Sequence, residues 1–334
     1  MTRAGELVRQ VETNAPGIQI IAMSRSSDPE ILLESMRAGI REFIALPFQY
    51  QQLEEALRRV QEQLSKRPPA FQTSDLVYSF LPSKAGVGAS TVALNVAVAL
   101  SQIPETSVVL SDFDLNSGMM RFMLKLDNGY CVADAAEHAL EMDEALWPQL
   151  VTSIGGMDVL HAGKLNPGFR IEATQIRHLI DFMRRNYKAL CFDLSGNLEK
   201  YSLEIMHESK RIFLVCTPEI PALHLAREKY SYLKSLDLED RITVLLNRVS
   251  NRPVITPEQI EQILGLPILM TFPNDYNGVH RALTAGHAID TSSELGRRFT
   301  RLAQTLVDKR PTPPAAATKK RFIEYFSIMP SRAS

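Results

Sequence analysis

Residues 83–91 combine small side chains with one lysine, between an apolar run and a helical pattern. They read Ser-Lys-Ala-Gly-Val-Gly-Ala-Ser-Thr. Small residues let successive backbone N–H groups turn inward around an anionic oxygen, and the N-terminus of a following helix adds partial positive charge. The segment therefore predicts a phosphate-binding loop in which Ser90 supplies a hydroxyl to Mg²⁺.

The loop departs twice from the phosphate-loop pattern G-x-x-x-x-G-K-[ST], because Ser83 replaces the first glycine and Ala89 replaces the lysine. Lys84 lies inside the loop and offers a substitute cation. Losing one charge-assisted phosphate contact costs about 1.5–3 kcal/mol, a ten- to hundredfold effect, which binding can survive. The alternative is a tight strand-to-helix turn without a ligand, in which Gly86 and Gly88 serve close packing alone.

Aspartates stand at the ends of two later apolar runs. Asp112 and Asp114 follow residues 108–111, and Asp193 ends residues 189–193. Ligands of open α/β sheets bind at the carboxyl ends of strands, so we expect these carboxylates near the loop. A buried strand-end aspartate is costly without a cation or donors. The alternative is that such an aspartate caps the following turn.

Short β-branched runs alternate with helical stretches from residue 76 onward, which implies right-handed βαβ crossovers. The predicted fold is α/β, with a doubly wound, mostly parallel sheet covered on both faces. Helices are predicted at residues 92–100 and 292–309. The predicted strands cover residues 77–81, 108–111, 157–160, 189–193, 212–216, 242–246 and 268–272.

The ends of the chain differ in composition from this large domain. Near the start, strands are predicted at residues 18–23 and 43–46, and helices at 31–39 and 53–64. Paired prolines after basic residues mark a linker. The predicted segments are an α/β unit at 1–64, a linker at 65–75, the large domain at 76–310, a Pro/Ala tether at 311–318 and a basic tail at 319–334.

The bulk composition excludes some partners. A formal net charge of -1 argues against a domain-wide electrostatic grip on nucleic acid, so we expect no nucleic-acid partner. The first residues lack a secretory signal, which predicts a cytoplasmic location. The tail predicts a peripheral contact with an anionic membrane surface, through basic residues 319–321 and an apolar helical face. A disordered tail is the alternative, because Pro330 ends any helix early.

The loop resembles the deviant Walker A loop of the MinD/ParA ATPases, K-G-G-x-G-K-[ST]-[ST], with Lys84 in the place of the signature lysine. In that family this lysine reaches across a sandwich dimer to the partner's phosphates. The resemblance implies ATP and Mg²⁺ as ligands and an ATP-dependent homodimer. The implied nucleotide-binding residues of the loop are Lys84, Ala85, Gly86, Val87, Gly88, Ala89, Ser90 and Thr91.

The same resemblance assigns roles outside the loop. Asp114 corresponds to the second aspartate of a D-x-D switch, which orients the attacking water, and Lys84 and Asp114 are the implied catalytic pair. Asp193 corresponds to the Walker B carboxylate near Mg²⁺, with Ser90 as the other metal-site residue. The base would contact Asn247, Arg248, Pro273, Asn274 and Asp275. For Asn247, a plain turn residue is an equal alternative.

The first 64 residues are similar to the second half of a receiver domain, in the runs Met36-Arg37-Ala38-Gly39 and Phe43-Ile44-Ala45-Leu46-Pro47. The strand with the phosphoacceptor aspartate is absent, so phosphorylation is not expected. Together with Ala89 and residues 213–223, this front looks like the CpaE/TadZ proteins of Flp/Tad pilus assembly. That resemblance implies a dimeric localisation factor that recruits pilus machinery, such as a secretion ATPase. The expected place is the inner face of the cytoplasmic membrane at a cell pole.

Three functions remain open from the residues. In the leading hypothesis, ATP joins two chains and slow hydrolysis through Asp114 releases them. A non-hydrolysing scaffold that keeps its nucleotide is the alternative that Ala89 favours. A partition or positioning ATPase of the MinD/ParA kind is the third, and a partition role predicts salt-sensitive DNA binding by the ATP-bound dimer.

Overall fold

The computed structural model divides the chain into two compact units, residues 1–72 and 73–334. The residues it describes are 8, 20–25, 40, 42–66, 74–166 and 168–307. Several predicted features lie outside them, namely the helix at 31–39 with its Met-Arg-Ala-Gly run, most of the linker, the tether at 311–318 and the basic tail at 319–334. Among the described residues, no helix combines the length and apolar character needed to cross a membrane.

The first unit contains a parallel strand pair and a helix. Strand β1 (Ile21–Ser24) pairs with β2 (Glu42–Ala45), and helix α1 (Tyr50–Lys66) follows. The helix starts earlier and ends later than predicted. It ends just before residue 67, which precedes a proline, because the proline ring disfavours the helical conformation of the residue before it.

The second unit is built on an eight-stranded sheet with the order β10-β9-β8-β3-β7-β4-β6-β5. Its strands are β3 (Leu76–Pro82), β4 (Val108–Phe113), β5 (Thr152–Ile154), β6 (Met157–Leu160), β7 (Ala189–Leu194), β8 (Arg211–Cys216), β9 (Ile242–Val249) and β10 (Ile268–Pro273). All neighbouring strands are parallel except β5 and β6. The predicted fold class is confirmed, and each strand predicted for this domain lies where the sequence indicated.

Helices cover both faces of this sheet because its strands are apolar on both sides. In β3, Val77 and Leu81 belong to one core cluster, while Tyr78 and Phe80 belong to the other. The helices are α2 (Ala89–Ser101), α3 (Met120–Met123), α4 (Val132–Glu137), α5 (Trp147–Leu150), α6 (Ala173–Asn186), α7 (Lys200–Glu208), α8 (Ile220–Lys234), α9 (Pro257–Leu264), α10 (Tyr276–Ala285) and α11 (Glu294–Val307). Residues of α6, α7 and α9 pack in the first cluster, and residues of α2 and α11 pack in the second.

One edge of the sheet was not predicted. Strand β5 has three residues and runs antiparallel to β6, with Ile154 opposite Met157. The two residues between them, Gly155 and Gly156, have φ of 60° and 82°. A two-residue turn with positive φ at both positions connects hairpin strands, so the glycine pair was the signal that could have revealed β5.

Candidate nucleotide-binding site

The predicted phosphate loop follows the central strand β3 and leads into α2, which begins at Ala89. Gly86 and Gly88 have φ of 83° and 87°, in the left-handed region that other residues avoid. A Cβ built on Gly86 would meet no heavy atom within 4 Å. Gly86 therefore serves backbone conformation rather than close packing. This contradicts the packing alternative at Gly86.

Gly88 has an additional steric reason to be glycine. A Cβ at this position would lie 2.6 Å from Nδ2 of Asn247. That amide nitrogen donates a hydrogen bond of 2.8 Å to the carbonyl of Val87, while Oδ1 accepts one of 2.9 Å from the backbone N–H of Arg248. The buried side chain of Asn247 thus braces the loop from strand β9.

The loop forms one wall of a cavity of about 690 Å³, within the range of small-molecule sites. All nine residues of the predicted loop line it, and the opposite wall comes from the segments after β4 and β7. The charged side chains that line the cavity are Lys84, Asp114, Lys229 and Arg248.

Two buried aspartates occupy the ends of neighbouring strands. Asp112 in β4 and Asp193 in β7 are register partners. Asp112 accepts hydrogen bonds from the backbone N–H groups of Asp114 (3.2 Å) and Met120 (3.0 Å). Burial nevertheless raises the pKa of Asp112 to about 7, and the charge of Asp114 adds to this rise.

Asp193 lacks comparable support. Among the described residues, neither of its carboxylate oxygens has a hydrogen-bond partner of good geometry. Burial first, and the charge of Asp112 second, raise its pKa well above the ordinary value. The Ser90 hydroxyl partly offsets this rise. An isolated buried carboxylate is unfavourable, so a cation beside it would stabilise this arrangement.

Asp114 lies at the cavity and also shapes its own turn. Its Oδ1 accepts hydrogen bonds from the backbone N–H groups of Asn116 (3.3 Å) and Ser117 (2.9 Å). Burial, followed by the charge of Glu199, raises its pKa. The turn-capping alternative therefore describes this geometry correctly. It does not compete with a catalytic role, because Oδ2 is absent from these bonds.

Sequence reasoning missed Glu199, which connects the two loops that follow β4 and β7. Its Oε2 accepts a hydrogen bond of 2.6 Å from Ser195 Oγ. Its Oε1 accepts bonds from the side-chain amides of Asn197 (3.3 Å) and Asn116 (3.4 Å). Glu199 precedes α7, where an acidic residue is unremarkable, so the sequence carried no signal for this connection.

The two lysines of the cavity hold different partners. Nζ of Lys84 lies 4.0 Å from a carboxylate oxygen of Glu219 and 3.5 Å from the carbonyl of Ala85. Nζ of Lys229, on helix α8, donates a hydrogen bond of 2.6 Å to the carbonyl of Pro82. Sequence reasoning did not identify Lys229.

The residues predicted to contact the base lie in different places. Arg248 lines the cavity, whereas Asn247 faces the loop as described. Pro273, Asn274 and Asp275 do not line it, within the range 168–307 that contains them. Asp275 instead caps α10 by accepting a hydrogen bond of 2.8 Å from Gly278 N–H. Base binding by these residues stays a prediction.

The residues at the loop fit a phosphate-bound magnesium ion. In the part of the chain that the structure describes, no three His, Cys, Asp or Glu side chains form a metal-ligand group. Mg²⁺ beside a nucleotide needs none, because it keeps water and phosphate oxygens as ligands. Ser90 and the unpartnered carboxylate of Asp193 are the side chains suited to complete such a site.

The mostly parallel sheet, with a glycine loop after its central strand and carboxylates at the neighbouring strand ends, matches the fold of MinD/ParA-type P-loop NTPases. The chain is similar to a septum site-determining protein MinD of Thermotoga maritima, 22% identical over 232 residues that cover 67% of this chain and 84% of the relative. No family model matches the chain.

Solved structures extend this likeness. A ParA family ATPase from Chlorobium tepidum is 23% identical with a TM-score of 0.64, over 69% of this chain and 99% of that one. MinD from Pyrococcus horikoshii, solved as a complex with Mg-ADP, is 21% identical with a TM-score of 0.58, over 70% and 96%. These structures show the fold of the large unit.

Proposed function

We propose that this chain is a nucleotide-gated positioning ATPase of the MinD/ParA kind that binds ATP with Mg²⁺ and pairs with a second copy. One observation carries the proposal: the unpartnered carboxylate of Asp193 lies beside Ser90, at the start of the helix that follows the glycine loop. The loop suits phosphate oxygens and the carboxylate suits a cation. A magnesium-bound triphosphate satisfies both at once.

The chain's own residues divide the work. Backbone N–H groups of residues 85–91 and the N-terminus of α2 bind the phosphates, and Ser90 and Asp193 hold Mg²⁺. Mg²⁺, when bound, neutralises phosphate charge. Asp114 orients the attacking water from the far wall of the cavity. Lys84 exchanges its long contact with Glu219 for the phosphates of the second copy.

The connection made by Glu199 supports gating. It joins Asn116, beside the proposed water site, to Ser195 and Asn197, which follow the metal-site strand. A change at either loop therefore alters hydrogen bonds held by the other. We therefore expect loss of the terminal phosphate to change both loops together.

The proposal also concerns the cargo, that is, the cellular structure that this ATPase positions. The relative from Thermotoga maritima is a septum site-determining protein, which favours a positioning role here. Ala89, residues 213–223 and the α/β front favour a localisation factor of the CpaE/TadZ kind for Flp/Tad pilus assembly, with a secretion ATPase as a partner. In that case residues 319–334 add contact with the inner face of the membrane. If the protein localises to a cell pole only when the pilus genes are present, its partner is the pilus machinery. Localisation that does not depend on these genes favours a septum or DNA partner.

Replacing Asp114 tests the proposed chemistry. We expect wild-type protein to bind a fluorescent ATP analogue with Mg²⁺ and to turn ATP over slowly. Asp114→Ala should lower turnover by about a hundredfold, the range of a lost positioning or acid–base group, and change affinity only a few-fold. Steady-state phosphate release and equilibrium fluorescence measure both quantities, and light scattering should show a dimer only with Mg-ATP.

Asp127→Ala is the matched control, since Asp127 is exposed and does not line the cavity. Absence of any magnesium-dependent affinity for a nucleoside triphosphate contradicts the whole proposal. Tight binding without turnover in the wild-type protein would replace the switch by the non-hydrolysing scaffold. Equal loss of turnover in both variants would remove Asp114 from the mechanism.

A further inference from the structure

The loop lacks a cation at the place where phosphate loops carry one. Ala89 begins α2 and is buried, and the first turn of the helix contains Ser90 and Thr91 but no basic residue. Lys84 lies beside Glu219 at the rim, and the proposed function assigns it to the phosphates of a second copy. The chain's own phosphates then need positive charge from elsewhere.

Lys229 reaches the cavity from a different element. It projects from α8 and donates a hydrogen bond to Pro82 O, at the start of the loop. A Cβ built on Gly196 would lie 3.0 Å from its Nζ. The ammonium therefore lies between the phosphate loop and the segment that follows β7, and it lines the same cavity as residues 83–91.

The ammonium group has unused hydrogen-bonding capacity. A lysine has three N–H donors, and Pro82 O is the acceptor that the structure gives for Lys229. Across residues 74–166 and 168–307, no carboxylate lies within ion-pair distance of it. The charge of Glu199 acts on it without an ion pair and only partly opposes the lowering of its pKa by burial. Glu199 itself is occupied by Ser195, Asn197 and Asn116.

Burial makes this unpaired charge costly without a ligand. It lowers the pKa of Lys229 to about 8, so the side chain is mostly charged at neutral pH but held at a cost. An anion in the cavity removes that cost. The other charged cavity residues, Lys84, Asp114 and Arg248, include one carboxylate, and that carboxylate belongs to the opposite wall.

The geometry points to Lys229 as the cation that contacts the terminal phosphate of a nucleotide bound to its own chain, in place of the loop lysine that Ala89 lacks. This inference rests on the proposed function. The terminal phosphate is favoured because Lys229 lies against Gly196, in the segment after β7 that lines the cavity together with Asp114, the residue proposed to orient the attacking water. A lysine supplies a point charge to a phosphate from any direction, so its origin on α8 is no obstacle.

Affinity for Mg-ATP and Mg-ADP, measured on the full chain by calorimetry, tests this role. We expect Lys229→Met to weaken Mg-ATP binding by about ten- to a hundredfold, as for a lost charge-assisted contact, and Mg-ADP binding much less. Lys234→Met is the matched control. It removes the same charge from the same helix, at an exposed lysine that pairs with Glu239 at 2.5 Å, and should change neither affinity.

Two further readouts separate phosphate contact from a merely structural bond to Pro82. At pH 8, wild-type protein should take up roughly half a proton per bound ATP, because phosphate raises the pKa of Lys229 again. Calorimetry in buffers of different ionisation enthalpy measures this uptake, and Lys229→Met should lose it. Introducing Ala89→Lys into Lys229→Met should restore Mg-ATP affinity, whereas a lost structural bond cannot be restored from position 89.

The outcomes are distinguishable. Wild-type protein that binds no nucleotide overturns the proposed function and this inference together. Wild-type protein that binds Mg-ATP, with the same affinity and proton uptake in Lys229→Met, overturns the role of Lys229 alone. If Lys229→Met fails to fold, Lys229→Arg keeps the charge and should retain Mg-ATP affinity within a few-fold. Loss of affinity in a folded Lys229→Arg protein also contradicts the inference, unless Ala89→Lys restores it.

Discussion

The two walls of the cavity are built on opposite principles. The loop wall, residues 83–91, relies on backbone shape, with two glycines at positive φ and an asparagine brace behind them. The carboxylate wall relies on side chains. Asp114 lines the cavity there, whereas Asp112 and Asp193 are buried at the strand ends and do not line it. Burial raises the pKa of all three carboxyl groups; the charge of Asp114 adds to the rise at Asp112 and Asp193, and the charge of Glu199 adds to it at Asp114.

This difference explains which wall tolerates substitution. Backbone N–H groups are present whatever the side chain, so the loop wall can lose its lysine and still bind an anion if a cation arrives from another helix. In the carboxylate wall no backbone group can replace a buried carboxylate, so a substitution there removes its negative charge entirely. We therefore expect shape changes to damage the loop wall and charge changes to damage the carboxylate wall.

Gly88→Ala should have the largest effect, on the loop wall. A non-glycine residue at this φ costs about 1–2 kcal/mol. The new Cβ also displaces the Asn247 amide and breaks its bond to Val87, which adds about 1 kcal/mol. Chemical denaturation should show a loss of about 2–3 kcal/mol in the free energy of unfolding, with loss of nucleotide affinity.

Gly86→Ala is the matched control, because Gly86 has nearly the same φ and open space around its Cβ position. It should lose only the conformational part, about 1–2 kcal/mol. Equal losses in the two variants would mean that the Asn247 brace contributes nothing to the shape of the loop.

Asp193→Asn should have an intermediate effect. It should increase the stability of the free protein and weaken magnesium-dependent ATP binding. The amide removes a buried charge that repels Asp112 and lacks a partner. The free protein should therefore gain stability, because the amide keeps the shape of the side chain and cannot carry the charge that burial disfavours. Magnesium should no longer increase ATP affinity, and titrations with and without EDTA measure this.

Asp112→Asn provides the contrast within the same wall. Asp112 already accepts two backbone hydrogen bonds, and an amide nitrogen cannot accept the second of them. We expect it to lose stability where Asp193→Asn gains it. A loss of stability in both variants would show that Asp193 is not destabilising in the absence of a ligand.

The carboxylate wall could be predicted from the sequence because strands and their ends leave a local signal. Apolar runs with aspartates at their ends located Asp114 and Asp193, and the fold places Asp114 at the cavity and Asp193 beside Ser90 of the loop. The loop was predicted for the same reason, since small residues between a strand and a helix leave a pattern within nine positions.

The supports of the site left no such signal. Asn247, Glu199 and Lys229 act through contacts 160, 83 and 147 positions away along the chain. Their sequence surroundings are ordinary for a strand end, a helix start and a helix interior. Only the sheet order, which brings β9, β7 and β8 around β3, places Asn247 and Lys229 against the loop and Glu199 between the segments that follow β4 and β7.

The smallest predicted effect concerns the pH dependence of stability, and it tests whether the cation of the loop wall is held at a cost. The pKa of Lys229 falls from 10.5 to about 8 on folding, through burial that Glu199 only partly opposes. Between pH 8 and 10 the Lys229 side chain therefore binds more protons in the unfolded chain than in the folded one, so its contribution to stability rises with pH. Below pH 7 both states are protonated and this contribution is constant.

The melting temperature of wild-type protein minus that of Lys229→Met should rise by roughly 2–4 °C from pH 7.5 to 10, after discounting for partial exposure. The same difference for Lys234→Met should stay flat, since Glu239 raises the pKa of Lys234. A flat difference for Lys229→Met as well would mean that the ammonium is hydrated and that a phosphate gains little by binding it.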